Sequence, residues 1–380
     1  MPRAVRRIPY AAGRVGNVPP SVQHELDEAN GGAQQAAAVR LRRMYPSRCI
    51  GALGAYFIDA NVSSPDLGQV PHCDVDSLLS DLCRLPRPMA ETLPTGRDLV
   101  AKSEEGLGVN PLSLGCQMEL DSRHIQLSPS RVAKFVASGG SLEIRQFDRT
   151  CLEWAGVADD VARLSKADVY LKLFLAGGSR SVNGRHHDAT DVLATTLFGS
   201  KVFEIWTDPL PPEGLPSRSG TVECGGAAMV PRGADHRVTP KGETSALLSA
   251  GLMRIGDWIY RGAIPAHLGW KSYPTSAVDY ALSLRSHLPN APWRPGHGQG
   301  GSLESRSVGG LHVNHVVGDD VTWSACGATY TMGSDLWHWL LRVHRDGQVP
   351  IKELNALNDM SLQGLRFLSE EGVVAHVNDV

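Results

Sequence analysis

Residues 184–206 read GRHHDATDVLATTLFGSKVFEIW, and the fold is decided here. A polar head leads into two apolar runs, Val192–Leu197 and Lys201–Trp206, parted by Gly199-Ser200. Short runs bounded by turn residues predict neighbouring strands. Working outward, similar runs stand at Val169–Leu175, Gly226–Val230 and Ala246–Met253, with Gly and Pro turns between them. Strands in such succession predict an antiparallel sandwich or barrel, not a βαβ sheet. Upstream, Ser128-Pro129 opens a helix with Val132, Phe135 and Val136 on one face, stopped by Gly139-Gly140. The alternation from Ser141 to Phe147 predicts a strand, and residues 152–164 predict a second helix.

The head of the opening stretch carries the chemistry. Side chains at i and i+2 share a strand face, so His186 and Asp188 can point together while His187 points away. One imidazole and one carboxylate are two-thirds of a 2-His-1-carboxylate triad, which holds Fe(II) and leaves positions open. The third ligand must come from a distant strand. His236 is the best candidate, because Pro231-Arg-Gly233 turns the chain and sets it at a strand end. Lys201 follows His186 by fifteen residues. A lysine at the inner end of that strand can pair with an anionic cosubstrate carboxylate, since a buried ammonium without an anion is costly. Each element also has a plainer reading: a solvated strand-end charge for Lys201, a surface histidine for His236. A second His-x-Asp, His72-Cys-Asp74, reads as the turn before a helix-like run, Asp76–Leu85. His312 and His315 read as an exposed pair near a linker, and His338 as a helix surface residue.

Composition narrows the class. The 380 residues are 42% hydrophobic and 20% charged, enough for a sizeable core and too many for one small domain. A net charge of −3 lacks the basic excess of a nucleic-acid or membrane-surface protein. No apolar run is long enough to span a bilayer or to read as a signal peptide. The seven cysteines are irregularly spaced and lack a CxxC, which suits neither a disulfide framework nor a zinc site. A cytoplasmic protein is expected.

Beyond the strands, a helical pattern runs from Asp257 to Leu288, and residues 288–302 read as linker. Val321–Tyr330 reads as strand. Short helices are predicted at Ser334–Val343, Ile351–Leu357 and Ser361–Glu371, then a strand at Val373–Val377. Such an order suggests a winged helix. Four basic and seven acidic residues from Ser334 to Val380 have the wrong sign for holding phosphates.

From about Leu99 to Met253 the chain resembles the JmjC/cupin-type Fe(II)- and 2-oxoglutarate-dependent oxygenases, in their ribosomal-oxygenase-like branch. The matching stretches are Gly139–Arg145, Val169–Leu175, His186–Val192, Phe198–Lys201 and Val230–His236. The resemblance implies an α+β fold with a double-stranded β-helix (jelly-roll/cupin) core. Its parts would be a variable N-terminal extension (1–95), the JmjC/cupin oxygenase domain (96–256), a helical dimerisation region with linker (257–305), and a winged-helix-like domain (306–380). It implies iron ligation by His186, Asp188 and His236, and Lys201 as partner of the distal carboxylate of 2-oxoglutarate, with O2 as the other cosubstrate. It implies a homodimer that hydroxylates a protein or peptide substrate, with no role for membranes or nucleic acid. Two residues depart from the pattern: Lys172 and Phe174 stand where such enzymes often have an asparagine and a tyrosine that help hold the cosubstrate. The departures motivate one alternative to keep beside the hydroxylase, a non-catalytic cupin-like binding protein; an oxygenase tailoring a peptide or small molecule in a biosynthetic pathway is a further one.

Overall fold

The structure, a computed structural model, describes residues 5–8, 18–44, 99–118, 121–149, 152–178, 183–206, 215–242, 244–253, 282, 284, 286–288 and 301–377. The helical pattern expected between Asp257 and Leu288 lies almost wholly outside these residues, as do His72 and Asp74. The chain forms two compact units: residues 41–161 with 168–261, and residues 1–40 with 162–167 and 262–380.

The first of these units is a mixed structure built on antiparallel sheets, consistent with the cupin or JmjC arrangement expected. Its large sheet contains β2 (Leu99–Lys102), β3 (Gly108–Val109), β6 (Ser141–Ile144), β7 (Asp168–Gly177), β8 (Asp191–Phe198), β11 (Ala227–Val230) and β13 (Thr244–Met253). They lie in the order β11-β8-β13-β7-β6-β2-β3. A smaller sheet sets β9 (Ser200–Trp206) between β10 (Arg218–Glu223) and β12 (Asp235–Pro240). The pair β4 (Gly115–Met118) and β5 (Asp121–Leu127) stands apart. The two main sheets share a core in which Val192, Ala194, Val230 and Leu247 meet Phe203 and Val222. Alternation along each strand selects that inner face.

Helix α2 spans Pro129–Ala137, and α3 spans Leu152–Ser165, its last residues belonging to the other unit. The strand expected over 141–147 ends at Ile144. Gln146 takes a positive φ of 52°, and the chain turns into a short 3-10 helix over Phe147–Arg149. Phe147 is thereby carried to Trp154, ring centroids 5.4 Å apart.

The other unit holds β1 (Val5–Ile8), the start of helix α1 (Pro20–Met44), β14 (Ser302–Ser305), β15 (His312–Val317), β16 (Asp320–Ala325), β17 (Ala328–Gly333), β18 (Gln348–Pro350), β19 (Val374–Val377) and helices α4 (Ser334–Asp346) and α5 (Asp359–Glu370). Two antiparallel sheets form, in the orders β1-β17-β16-β15 and β18-β14-β19. Their core stacks Trp323 on Tyr330 at 4.9 Å and on Trp337 at 5.7 Å. The run Val321–Tyr330, read as one strand, is a hairpin that reverses at Cys326 and Gly327, both at positive φ. The helix expected at Ile351–Leu357 is a 3-10 helix, Ile351–Ala356. Helix α1 begins at Pro20 and runs through Gly31-Gly32. Its buried stripe of Leu26, Ala29, Ala33 and Ala37 holds it, and Gly32 lets Arg345 approach closer than a Cβ would allow. His312 and His315 lie on β15, and His338 is half exposed beside Glu25 at 3.3 Å.

Candidate metal centre

His186 and His236 face each other across an isolated antiparallel bridge, exchanging backbone hydrogen bonds of 3.0 and 2.7 Å. The turn at Pro231–Gly233 fixes this pairing. Gly233, at a φ of 76°, donates its N–H to the Asp188 carbonyl at 2.9 Å, and the Arg232 N–H donates to Asp191 Oδ1 at 2.9 Å. Both loops are thus tied backbone to backbone, which brings residues fifty positions apart into one site.

The side chains converge. One ligand atom from each of His186, Asp188 and His236 lies within 4.8 Å of the others. The imidazole centroids are 4.3 Å apart, and His236 Nε2 is 3.5 Å from Asp188 Oδ2. His187 points away, 63% exposed, against Asp235. In both converging histidines Nδ1 faces a carbonyl two residues upstream: Gly184 at 3.2 Å for His186, Ala234 at 3.1 Å for His236. Carrying the proton on Nδ1 leaves the Nε2 lone pair for a metal, the usual way a backbone carbonyl sets the tautomer of a ligand. Burial lowers the His236 pKa, against a smaller opposite effect of the Ala234 carbonyl, and so favours the neutral, ligating form. Ligand atoms about 2.1 Å from one ion sit roughly 3 Å apart. The 3.5 Å between His236 and Asp188 is already near that value. Two imidazoles and one carboxylate on one side, with room opposite, fit an open Fe(II)-type site.

The three residues open onto a cavity of about 80 Å3 between the two sheets. Its apolar wall is Val192, Ala194, Phe203, Val238 and Leu247, with Phe174 from β7. Lys201 lines it too, only 3% exposed and with no ion pair among the described residues. Burial pulls its pKa down to about 7. Across β9 and β12, His236 stands opposite Ile205 and Pro240 opposite Lys201. Four residues of strand, roughly 13 Å, separate the two levels.

The structure therefore brings together all four residues singled out in the sequence. It also adds some that sequence reasoning missed. Asn183 and Ser249 line the cavity, and Asp235 holds Arg185 at 2.9 Å and His187 at 3.3 Å. Strand alternation around His236 would have placed Asp235 on the outer face. Nothing in the sequence marks Asn183.

No family model and no curated protein matches the sequence. Among solved structures, one of YcfD, a ribosomal oxygenase from Escherichia coli, is 15% identical over 80% of this chain and 91% of that chain, with a TM-score of 0.45. Another, of the same protein in complex with cobalt and 2-oxoglutarate, is 17% identical over 62% and 78%, with a TM-score of 0.40. A cupin superfamily protein from Desulfitobacterium hafniense is 21% identical over 22% and 67%, with a TM-score of 0.19. These neighbours are of the kind the sequence resembles. The convergence of His186, Asp188 and His236 stands on its own geometry.

Proposed function

We propose that the protein is an Fe(II)- and 2-oxoglutarate-dependent dioxygenase that hydroxylates a side chain of a protein or peptide. One observation carries the reading. Two imidazoles, each with Nδ1 facing a backbone carbonyl, and one carboxylate converge at a cavity that also contains a buried lysine without an acidic partner among the described residues. A metal explains the first feature and a dianionic cosubstrate the second.

Iron, when bound, supplies the oxidising chemistry by which O2 and 2-oxoglutarate yield succinate, CO2 and a hydroxylated product. The chain's residues do the rest. His186 and His236 present Nε2 while backbone carbonyls hold their Nδ1 protons, and Asp188 neutralises one of the metal's two charges. Lys201 takes the distal carboxylate and is protonated as it does so. Phe174, Phe203 and Leu247 keep water from the inner cavity, where a dry setting strengthens the lysine–carboxylate contact.

Aerobic incubation of the Fe(II)-loaded protein with 2-oxoglutarate tests the proposal. Succinate should form in step with loss of 2-oxoglutarate, even slowly without substrate. Tight metal and 2-oxoglutarate binding with no succinate would instead favour a non-catalytic cupin-like binding protein.

A further inference from the structure

Lys172 has no part in the reaction as proposed. It shares an inward face of β7 with Phe174 and lines the cavity of the triad, yet its side chain is 28% exposed where Lys201 is 3% exposed. Of the two lysines lining one cavity, Lys172 is thus the one within reach of solvent. The carboxylate nearest Lys172 is that of Glu143, whose Oε1 lies 3.9 Å from Nζ but 3.0 Å from Nε of Arg145. A carboxylate already paired with a guanidinium is a weak partner at the longer distance. The Tyr170 ring, 5.6 Å from the ammonium, is a further loose contact.

Charge bookkeeping makes the lysine conspicuous. Glu143 and Arg145 cancel, the two ligating histidines are neutral, and Asp188 carries one negative charge. Adding Lys201, a divalent ion and a dianionic cosubstrate brings the site close to neutrality. Glu143, Arg145 and Lys172 together keep one net positive charge, and of the two cations Lys172 is the one that lines the cavity.

We infer that Lys172 is a specificity-determining residue that receives a carboxylate of the substrate, so that the enzyme acts on acidic peptides. The inference rests on the dioxygenase reading and names its substrate class. The carboxylate belongs either to an Asp or Glu side chain beside the modified residue or to a free chain end. A single cation at the mouth steers such a group inward and sets its register against the metal.

The test is equilibrium binding of dye-labelled hexapeptides to protein loaded with Mn(II) and 2-oxoglutarate without oxygen, followed by fluorescence anisotropy. Peptides capped at both ends carry a central Glu, Gln or Lys, and a further Gln peptide has a free C-terminal carboxylate. A carboxylate-bearing peptide should bind at least about ten-fold tighter than capped Gln. The arm that does so identifies the source of the carboxylate. Lys172→Gln should erase the preference and Lys172→Arg should keep it, with 2-oxoglutarate affinity changed less than about two-fold in both. Equal binding of all peptides, no binding below millimolar, or a preference surviving Lys172→Gln overturns the inference. So does a loss of 2-oxoglutarate affinity in Lys172→Gln, which would assign the lysine to the cosubstrate. Failure of the loaded wild-type protein to bind 2-oxoglutarate at all is a different result, and it removes the dioxygenase reading itself.

Discussion

An ammonium at 3% exposure with no acidic partner among the described residues is tolerable only if it sheds its proton or meets an anion. Lys201 does both by turns. Its ordinary pKa of 10.5 applies in the unfolded chain, and burial lowers it to about 7 in the folded one. Between those values the unfolded chain binds a proton that the native protein does not, so this residue makes ligand-free stability rise with pH from 7 to 10.5. Lys201→Met should therefore stabilise the ligand-free protein below pH 7, by on the order of 4 kcal/mol, with the gain gone above pH 10.5. Denaturant titrations at pH 6 and pH 10 check it; an equal shift at both would rule the buried charge out. Because 2-oxoglutarate needs the charged form, its affinity should fall by up to about ten-fold per unit of pH above 7. Lys201→Ala should cost ~2–5 kcal/mol of that affinity, roughly 30- to 5,000-fold, with metal binding intact. Calorimetry under anaerobic conditions reads both, and loss of the metal as well would make Lys201 structural.

Among the elements, β13 is the brace of the site, pairing with β7 on one side and β8 on the other. Gly251 on β13 stands opposite Tyr170 on β7, and a Cβ there would fall 2.1 Å from Tyr170 Cζ. That close approach lets Tyr170 Oη reach Thr190 Oγ1 at 3.0 Å, just beyond the His186–Asp188 segment. Gly251→Ala should displace the ring, cost about 1–3 kcal/mol and weaken metal binding. Thermal melts with and without Co(II) check this, and an unchanged melting temperature would show that the ring has room to move. The strands that carry the site were legible as short apolar runs between clear turn residues. What escaped did so for local reasons. Cys326-Gly327 is not among the dipeptides that usually announce a hairpin, so β16 and β17 read as one strand. Gly31-Gly32 reads as a break, yet the stripe from Leu26 to Ala37 buries enough apolar surface to carry the helix through it. The triad was readable because His186 and Asp188 lie in extended chain just ahead of β8, bridged at His186, where i, i+2 spacing still turns two side chains to one side. Its closure was not, since the bond from Gly233 to Asp188 joins segments that sequence spacing does not relate.

For the whole molecule, the reading extends to assembly and partners. We expect a homodimer through the segment between Asp257 and Leu288, which light scattering would show as twice the chain mass of 40.9 kDa. A monomer at micromolar concentration would reject it. No described helix is long and apolar enough to cross a membrane. The net charge of −3 gives the chain no general attraction for phosphate backbones. The central claim is that His186, Asp188 and His236 hold one Fe(II), on which 2-oxoglutarate chelates with its far end on Lys201. Anaerobic titration of the Fe(II)-loaded full chain with 2-oxoglutarate, followed by the charge-transfer absorbance of the complex, tests this most directly. The account predicts a band saturating at one equivalent in the wild type, absent in Asp188→Ala because the metal is lost, and in Lys201→Ala appearing only at far higher 2-oxoglutarate. An undiminished band in Asp188→Ala would contradict it and move the metal to other ligands.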